Sequence, residues 1–494
     1  MTRRTARRIV LIASMALAAV AAAGFALFPH IADDLYSANF IRDAYLEGRL
    51  LPDAADYVAA LRHILHTNHF RLCNLLMPLI ILLPRWIPAL ISGAALAALY
   101  LLAARIGRFA DRPLRLGIFA AALAAAYPWP DQLYLTSFQL PYLWGPVAAL
   151  WMLSLLWRGR GTPAGLALLG WAIGFWHELP AGALLAAALA AAVRYPAMRT
   201  ARTAAAAAGL AGGVATVALS FIYNSTGGGF VPPAIHSAST FVFLVPAVAC
   251  LIAAAVCRRR LGRAGFCLAA ATAASTVLCV YFCVGPRITA FGTLCALCGL
   301  MRLLPARQLM PRRASLAAAA VVIAAVAAHW TAATVMCARL DAENRAIIAA
   351  ARPGVATIYA PMTLREDAPA ALLGKPYYDW WAHSRPRSVM EWMYAPAGGH
   401  IYVVPRELRT FSPDSARLIP GSVGMWLWEG HTVSAPVGTT LFTADYGLGP
   451  VTRWYCAVPF TAGDGRLYYW VHPDGLSADF YGFHNPRSID FVQQ

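Results

Sequence analysis

Apolar residues fill the first two thirds of the chain in long runs, broken by short polar stretches. Ile9 to Phe28 is one unbroken run, preceded by the basic segment MTRRTARR. A helix of about 20 apolar residues spans the hydrocarbon core of a bilayer. Further runs lie at 86–104, 113–127, 139–157, 164–177, 179–193, 203–222, 240–257, 264–284, 287–304 and 314–332. With the first they predict eleven membrane-spanning helices. The runs 113–127, 164–177 and 179–193 are short for a full crossing. From residue 333 the runs shorten, and Gly, Pro and aromatic residues rise. Stretches such as HIYVVP and GRLYYWVHP alternate with the period of a strand. Asp341 to Ala351 reads as a helix and Val355 to Tyr359 as a strand. The pattern therefore predicts two domains: 1–332, helical and membrane-embedded, and 333–494, soluble and α/β or β-rich.

Charge orders these helices across a membrane. Crossing one by one puts the loops 105–112, 158–163, 194–202, 258–263 and 305–313 on the side of the N-terminus. Each carries arginine, as in RIGRFADR and CRRRLGR. The acids divide the other way, with Asp111 alone among those before residue 333 on that side. Both signals give one topology, N-terminus cytoplasmic and C-terminus outside. The chain has a formal net charge of +17 with only 13% charged residues. A basic balance can serve nucleic acid, but here the arginines sit in short clusters between apolar spans, so nucleic acid is set aside. The first run is longer than the core of a cleaved signal peptide and more spans follow, so it reads as an uncleaved helix.

Candidate chemistry gathers in the first outer loop, 29–85. Asp33 and Asp34 follow the first span at once, where carboxylates are costly and mark function. One of them also suits the N-cap of a helix starting near Leu35. The second half of the loop, HFRLCNLLMPLIILLP, is too short to cross and reads as a helix at the outer face. His177 and Glu178, in WHELP, lie between two short runs. They either bind substrate or tie two helix ends as a structural pair. Asn224 to Gly229 forms an outer turn. Cys295 and Cys298 have CxxC spacing inside an apolar helix, which reads as packing and not as zinc ligation. Cys337 and Cys456 either pair or stay as two thiols.

The layout resembles the GT-C superfamily of integral-membrane glycosyltransferases. The residues that carry the resemblance are the acidic pair in PHIADDLYSANF, the long first outer loop and the C-terminal outer domain. HTNHFRLCN, WHELP, YNSTGGG and NRAIIAAARPGVATIYAP resemble segments of bacterial multi-pass proteins of this kind. The resemblance implies an enzyme of the bacterial inner membrane with a periplasmic C-terminal domain. It would move sugar from a polyprenyl-phosphate donor to a cell-envelope glycan or lipid acceptor. Asp33 or Asp34 would be the general base, with inversion at the sugar. Arg287, then Arg71 and Arg42, would meet the donor phosphate. Tyr36, His69, His177, Glu178 and Asn224 would contact substrate. No cofactor is required, although His66 and His69 have a spacing that would suit a divalent metal. The trailing alternatives are a transporter or flippase for lipid-linked glycans, and a scaffold for envelope assembly. No internal repeat supports the transporter.

Overall fold

The computed structural model describes residues 2–30, 33–66, 70–127, 133–223, 238–282, 289–304 and 311–350, and the seven strands between 357 and 491. Side chains are described along the helices except at 33, 36, 219–223, 238–243, 260, 280–282, 312 and 343; the strands are described as backbone. The chain divides into two compact units. One comprises Met1–Ala26 and Asp43–Thr331; the other comprises Leu27–Arg42 and Ala332–Gln494. The segment with the acidic pair thus groups with the C-terminal residues.

The first unit is helical. After α1 (Arg3–Leu27) come, beyond α2 (Asp33–Asn39) of the second unit, α3 (Arg42–Leu46), α4 (Ala54–His66) and α5 (Leu72–Ile80). The long apolar helices follow: α6 (Trp86–Ile106) and α7 (Pro113–Ala126), then α8 (Thr136–Gln139), which passes through a π-helical turn into α9 (Gly145–Arg158). Next are α10 (Pro163–Trp176), α11 (Glu178–Arg194), α12 (Ala201–Tyr223), α13 (Ala238–Val256), α14 (Gly262–Phe282), α15 (Ala290–Leu303) and α16 (Arg312–Ala350), of which the residues from Ala332 belong to the second unit. The described parts of all eleven apolar runs fall on helices or their caps. Among the described residues, five helical stretches are long and apolar enough to cross a membrane: Arg3–Leu27, Trp86–Ile106, Thr136–Arg158, Gly262–Cys279 and Arg313–Ala350. Large apolar side chains such as Ile12, Leu168, Val193, Val256, Val277 and Val321 face outward. A water-soluble protein rarely exposes so much apolar surface, so these helices mark a membrane protein.

The helix ends follow local chemistry. Pro113 opens α7, and Pro163 opens α10 behind Thr162, whose Oγ1 accepts the Gly165 N–H at 3.1 Å. Both are sound N-terminal devices. At the other ends, arginines donate to carbonyls in or just past the last turn: Arg199 to Ala192 and Val193, Arg202 to Gly161, and Arg302 to Ile106. Several arginines of the basic loops thus finish helices.

Two features set the packing. α15 is buried nearly all round, including Cys295 and Cys298 as free thiols. Its small residues admit neighbours closely: a methyl group built on Gly292 would lie 2.6 Å from Ser275 Oγ, and one on Gly299 2.8 Å from Cys250 Sγ. The second feature is the pair α10 and α12. A Cβ on Gly170 would lie 2.7 Å from the Ala206 carbonyl oxygen and one on Gly174 2.5 Å from that of Leu210. On α12, Gly209 and Gly213 meet the Ala167 and Trp171 carbonyls even more closely. Each helix presents a G-x-x-x-G face, which lets two backbones touch where lipid offers no hydrophobic drive for association.

α16 departs from the pattern reading. A span at 314–332 and a separate helix from Asp341 are one continuous helix of 39 residues. Residues 333–340, ATVMCARL, hold no Gly and no Pro, so nothing stops the helix.

In the second unit, β1 (Thr357–Ala360) and β2 (Tyr402–Pro405) pair in parallel, Thr357 against Tyr402. Five strands, β3 (Trp426–Glu429), β4 (Gly438–Asp445), β5 (Pro450–Thr461), β6 (Leu467–Pro473) and β7 (Ser488–Phe491), form an antiparallel sheet ordered β3-β6-β5-β4-β7. The alternating stretches of the sequence supply β2 and β6. The strand expected at Val355–Tyr359 lies two residues later at its start and one later at its end.

Candidate functional site

The predicted site residues divide between the two units. In the second unit, α2 begins at Asp33, so the acidic pair forms its first turn and does not precede it. Asp34 is 1% exposed and Leu35 and Ala38 are buried with it. The side chains of Asp33 and Tyr36 lie outside the described residues. Arg42 opens α3 at the edge of this unit. Two further polar residues are buried here, Asp341 and Asn344 near the end of α16. Asp341 holds Arg345 at 3.0 Å one turn on. The sequence reading did not mark either as a site residue, although an acid soon after a long apolar run was a usable signal.

In the first unit, Arg71 and Glu178 meet across 107 residues of sequence. Arg71 lies just before α5 and Glu178 opens α11. Arg71 Nε donates to Glu178 Oε2 at 2.7 Å, and Arg71 Nη2 donates to Oε1. The two side chains are only 22% and 26% exposed. Burial by itself would raise the Glu178 carboxyl; the Arg71 charge beside it outweighs that and holds it down at about 2. Glu178 is therefore a fixed anion at neutral pH, neither a proton donor nor an effective base. Burial works against the Arg71 cation, and Glu178 more than restores it.

His177 lies between α10 and α11. It ends the first and caps the second, its Nδ1 accepting the Leu179 N–H at 3.2 Å. That bond requires Nδ1 without a proton, so the neutral ring carries its proton on Nε2. The Tyr142 ring meets the imidazole edge to face at 5.3 Å. Tyr142 belongs to the π-helical turn Leu140–Trp144, where the Gly145 N–H reaches back to the Leu140 carbonyl. Trp176 Nε1 donates to that same carbonyl at 2.7 Å, and its indole stacks on Trp144 at 6.3 Å. Trp144 Nε1 in turn donates to Ser92 Oγ at 3.0 Å, and Ser92 to Gln139 Oε1 at 2.5 Å. Cys73 Sγ lies 3.1 Å from the Trp176 carbonyl. Burial pushes this thiol up to about 12, so it stays protonated. The corner of WHELP is thus tied by polar contacts to α5 and to the π turn, which is itself bonded to α6. Tyr142, Trp144 and Cys73 are parts of it that the sequence did not mark.

His66 ends α4. His69, Asn224 and Arg287 lie outside the described residues. Among the described residues no group of three or more His, Cys, Asp or Glu side chains is placed to hold a metal. Arg71, expected at a donor phosphate, has Nε and one terminal nitrogen on Glu178. No family model, no curated protein and no solved structure matches this chain.

Proposed function

We propose that this chain is a membrane glycosyltransferase of the GT-C kind, with eleven spans, a cytoplasmic N-terminus and a periplasmic C-terminal domain. In this reading the donor is a polyprenyl-phosphate sugar and the acceptor a glycan or lipid of the cell envelope. The acceptor hydroxyl attacks the anomeric carbon, its proton passes to Asp33 or Asp34, and the carbon–oxygen bond to the lipid phosphate breaks. The observation that carries the reading is Asp34: a carboxylate 1% exposed, on a short helix six residues beyond a membrane-length first helix. A carboxylate is rarely buried, and this one lies just past a membrane-length helix, where the proposed chemistry needs a base. The grouping of Leu27–Arg42 with the C-terminal residues agrees with a catalytic segment built into an outer domain.

A second reading has its own support. A buried Arg71–Glu178 pair and a helix interrupted by a π turn at Leu140–Trp144 are features of a transporter for anionic lipid-linked glycans. One assay separates the two: transfer of labelled sugar from a polyprenyl-phosphate donor by the purified protein. A general base contributes about 10²–10⁴-fold. One of Asp33→Asn and Asp34→Asn is expected to lose about that factor, and the other less. Full transfer by the double variant removes the catalytic role, and the absence of any transfer by the unaltered protein favours the transporter.

A further inference from the structure

The helix ends on the arginine-rich side hold an arrangement that sugar transfer does not use. α6, α9 and α15 pack together, and their ends on this side carry Arg108, Arg158 and Arg302. Arg302 is half-buried and donates to the Ile106 carbonyl at 3.0 Å. Among the described residues, the charges acting on its guanidinium are those of Arg108 and Arg158, both positive. Asp111, the acid on this side, lies 3.8 Å from Arg3. Arg108 and Arg158 are exposed. Three cations thus meet at this helix end with no carboxylate among the charges on the half-buried inner one, an arrangement that an anion would relieve.

The backbone at Arg108 adds an independent sign. α6 ends in a Schellman turn, with the Phe109 N–H on the Ala104 carbonyl at 2.8 Å. The residue after the cap must then adopt the left-handed conformation, which glycine takes at least cost. α9 obeys the rule: Gly159 has φ +64°, and the Arg160 N–H reaches the Leu155 carbonyl at 3.0 Å. In α6 that position holds Arg108, at φ 59°, the sole non-glycine residue with positive φ among the described residues. A strained arginine replaces an easy glycine where two other arginines converge. Strain of this kind persists where something else favours the side chain.

We infer that Arg108, Arg158 and Arg302 form a binding site for a phosphate group, supplied by the headgroup of an anionic phospholipid in the leaflet that meets these helix ends. Guanidinium groups match phosphate oxygens in geometry and charge, and basic pockets between membrane helices hold such headgroups. The inference requires only that these ends lie at a membrane face; it stands whether the protein is an enzyme or a transporter.

The test uses full-length protein in detergent, with bound lipid counted by native mass spectrometry and unfolding temperature read in parallel. The unaltered protein is expected to retain phosphatidylglycerol over phosphatidylcholine and to be stabilised by it. Arg302 closes α6 and is left in place. Arg108→Gly/Arg158→Gln is expected to weaken phosphatidylglycerol binding by at least about tenfold, the loss of two charge-assisted contacts. Without lipid its unfolding temperature should equal or exceed that of the unaltered protein, because glycine relieves the turn. Arg258→Gln/Arg259→Gln removes the same charge from equally exposed positions on a different helix end and should retain the lipid. Equal retention by Arg108→Gly/Arg158→Gln, or equal loss in the Arg258/Arg259 control, overturns the site. Stabilisation by inorganic phosphate with no response to phosphatidylglycerol overturns the lipid as its source.

Discussion

Arg71 and Glu178 show what a single pair decides. Removing one member of a fully buried ion pair costs about 3–5 kcal/mol, and this part-buried pair should cost a good share of that. Glu178→Gln and Arg71→Met should each lower the unfolding temperature in detergent well beyond the average surface change. The double variant Arg71→Met/Glu178→Leu should recover most of the loss, since two apolar groups leave nothing unpaired. The pair also sets an acid limb. With its carboxyl held at about 2, below the ordinary value near 4.3 of an unfolded chain, Glu178 stabilises the fold above that ordinary value. The contribution falls away as pH drops from there through about 2. Unfolding temperature followed from pH 7 to pH 2 should therefore decline more steeply in the unaltered protein than in Glu178→Gln over the acid part of the range. If both decline in parallel, the pair is not what holds the corner.

At the scale of elements, the contact of α10 with α12 is the sharpest case. Gly212 and Gly213 are sequence neighbours on one helix, yet they face different surroundings. A Cβ on Gly212 would meet only Trp171 Cδ1, at 3.8 Å, whereas one on Gly213 would collide with backbone atoms of α10. Gly212→Ala should be neutral or stabilising by up to about 1 kcal/mol, from helix propensity alone. Gly213→Ala should force the two helices apart and lower the unfolding temperature markedly. Equal effects at the two positions would mean that α10 and α12 do not meet face to face. Hydropathy located both helices within about two residues, because burial in lipid demands apolar runs of that length. Which faces meet was not legible. A glycine within an Ala-rich helix looks alike in sequence whether it abuts a carbonyl or lipid. The π turn was equally hidden inside the run 139–157, since it depends on Trp176 taking up the Leu140 carbonyl from another helix.

At the scale of the whole molecule the alternation of basic and acidic loops makes a direct prediction. Reporter fusions after Phe28, Ser225 and Ala360 should read as extracytoplasmic, and fusions after Arg108 and Arg260 as cytoplasmic. A cytoplasmic signal at Ala360 would reverse the topology of the C-terminal residues and separate them from any periplasmic donor. A cytoplasmic signal after Phe28 would leave Asp34 without the outer compartment that the proposed chemistry needs.

The sequence by itself determined where the helices lie, since each apolar run must satisfy its own backbone within the membrane. It also located the alternating strands β2 and β6 and marked Asp33, Asp34, Arg71 and Glu178 as unusual charges. Only the tertiary structure decided their company. It grouped Leu27–Arg42 with the C-terminal residues, closed Arg71 onto Glu178 across 107 residues, and put Arg108 in a strained turn beside Arg158 and Arg302. The reason is one of range. Hydropathy acts residue by residue along a helix, whereas charge pairing and backbone contact depend on which helices become neighbours. That choice is made by the shapes of small residues far apart in the chain.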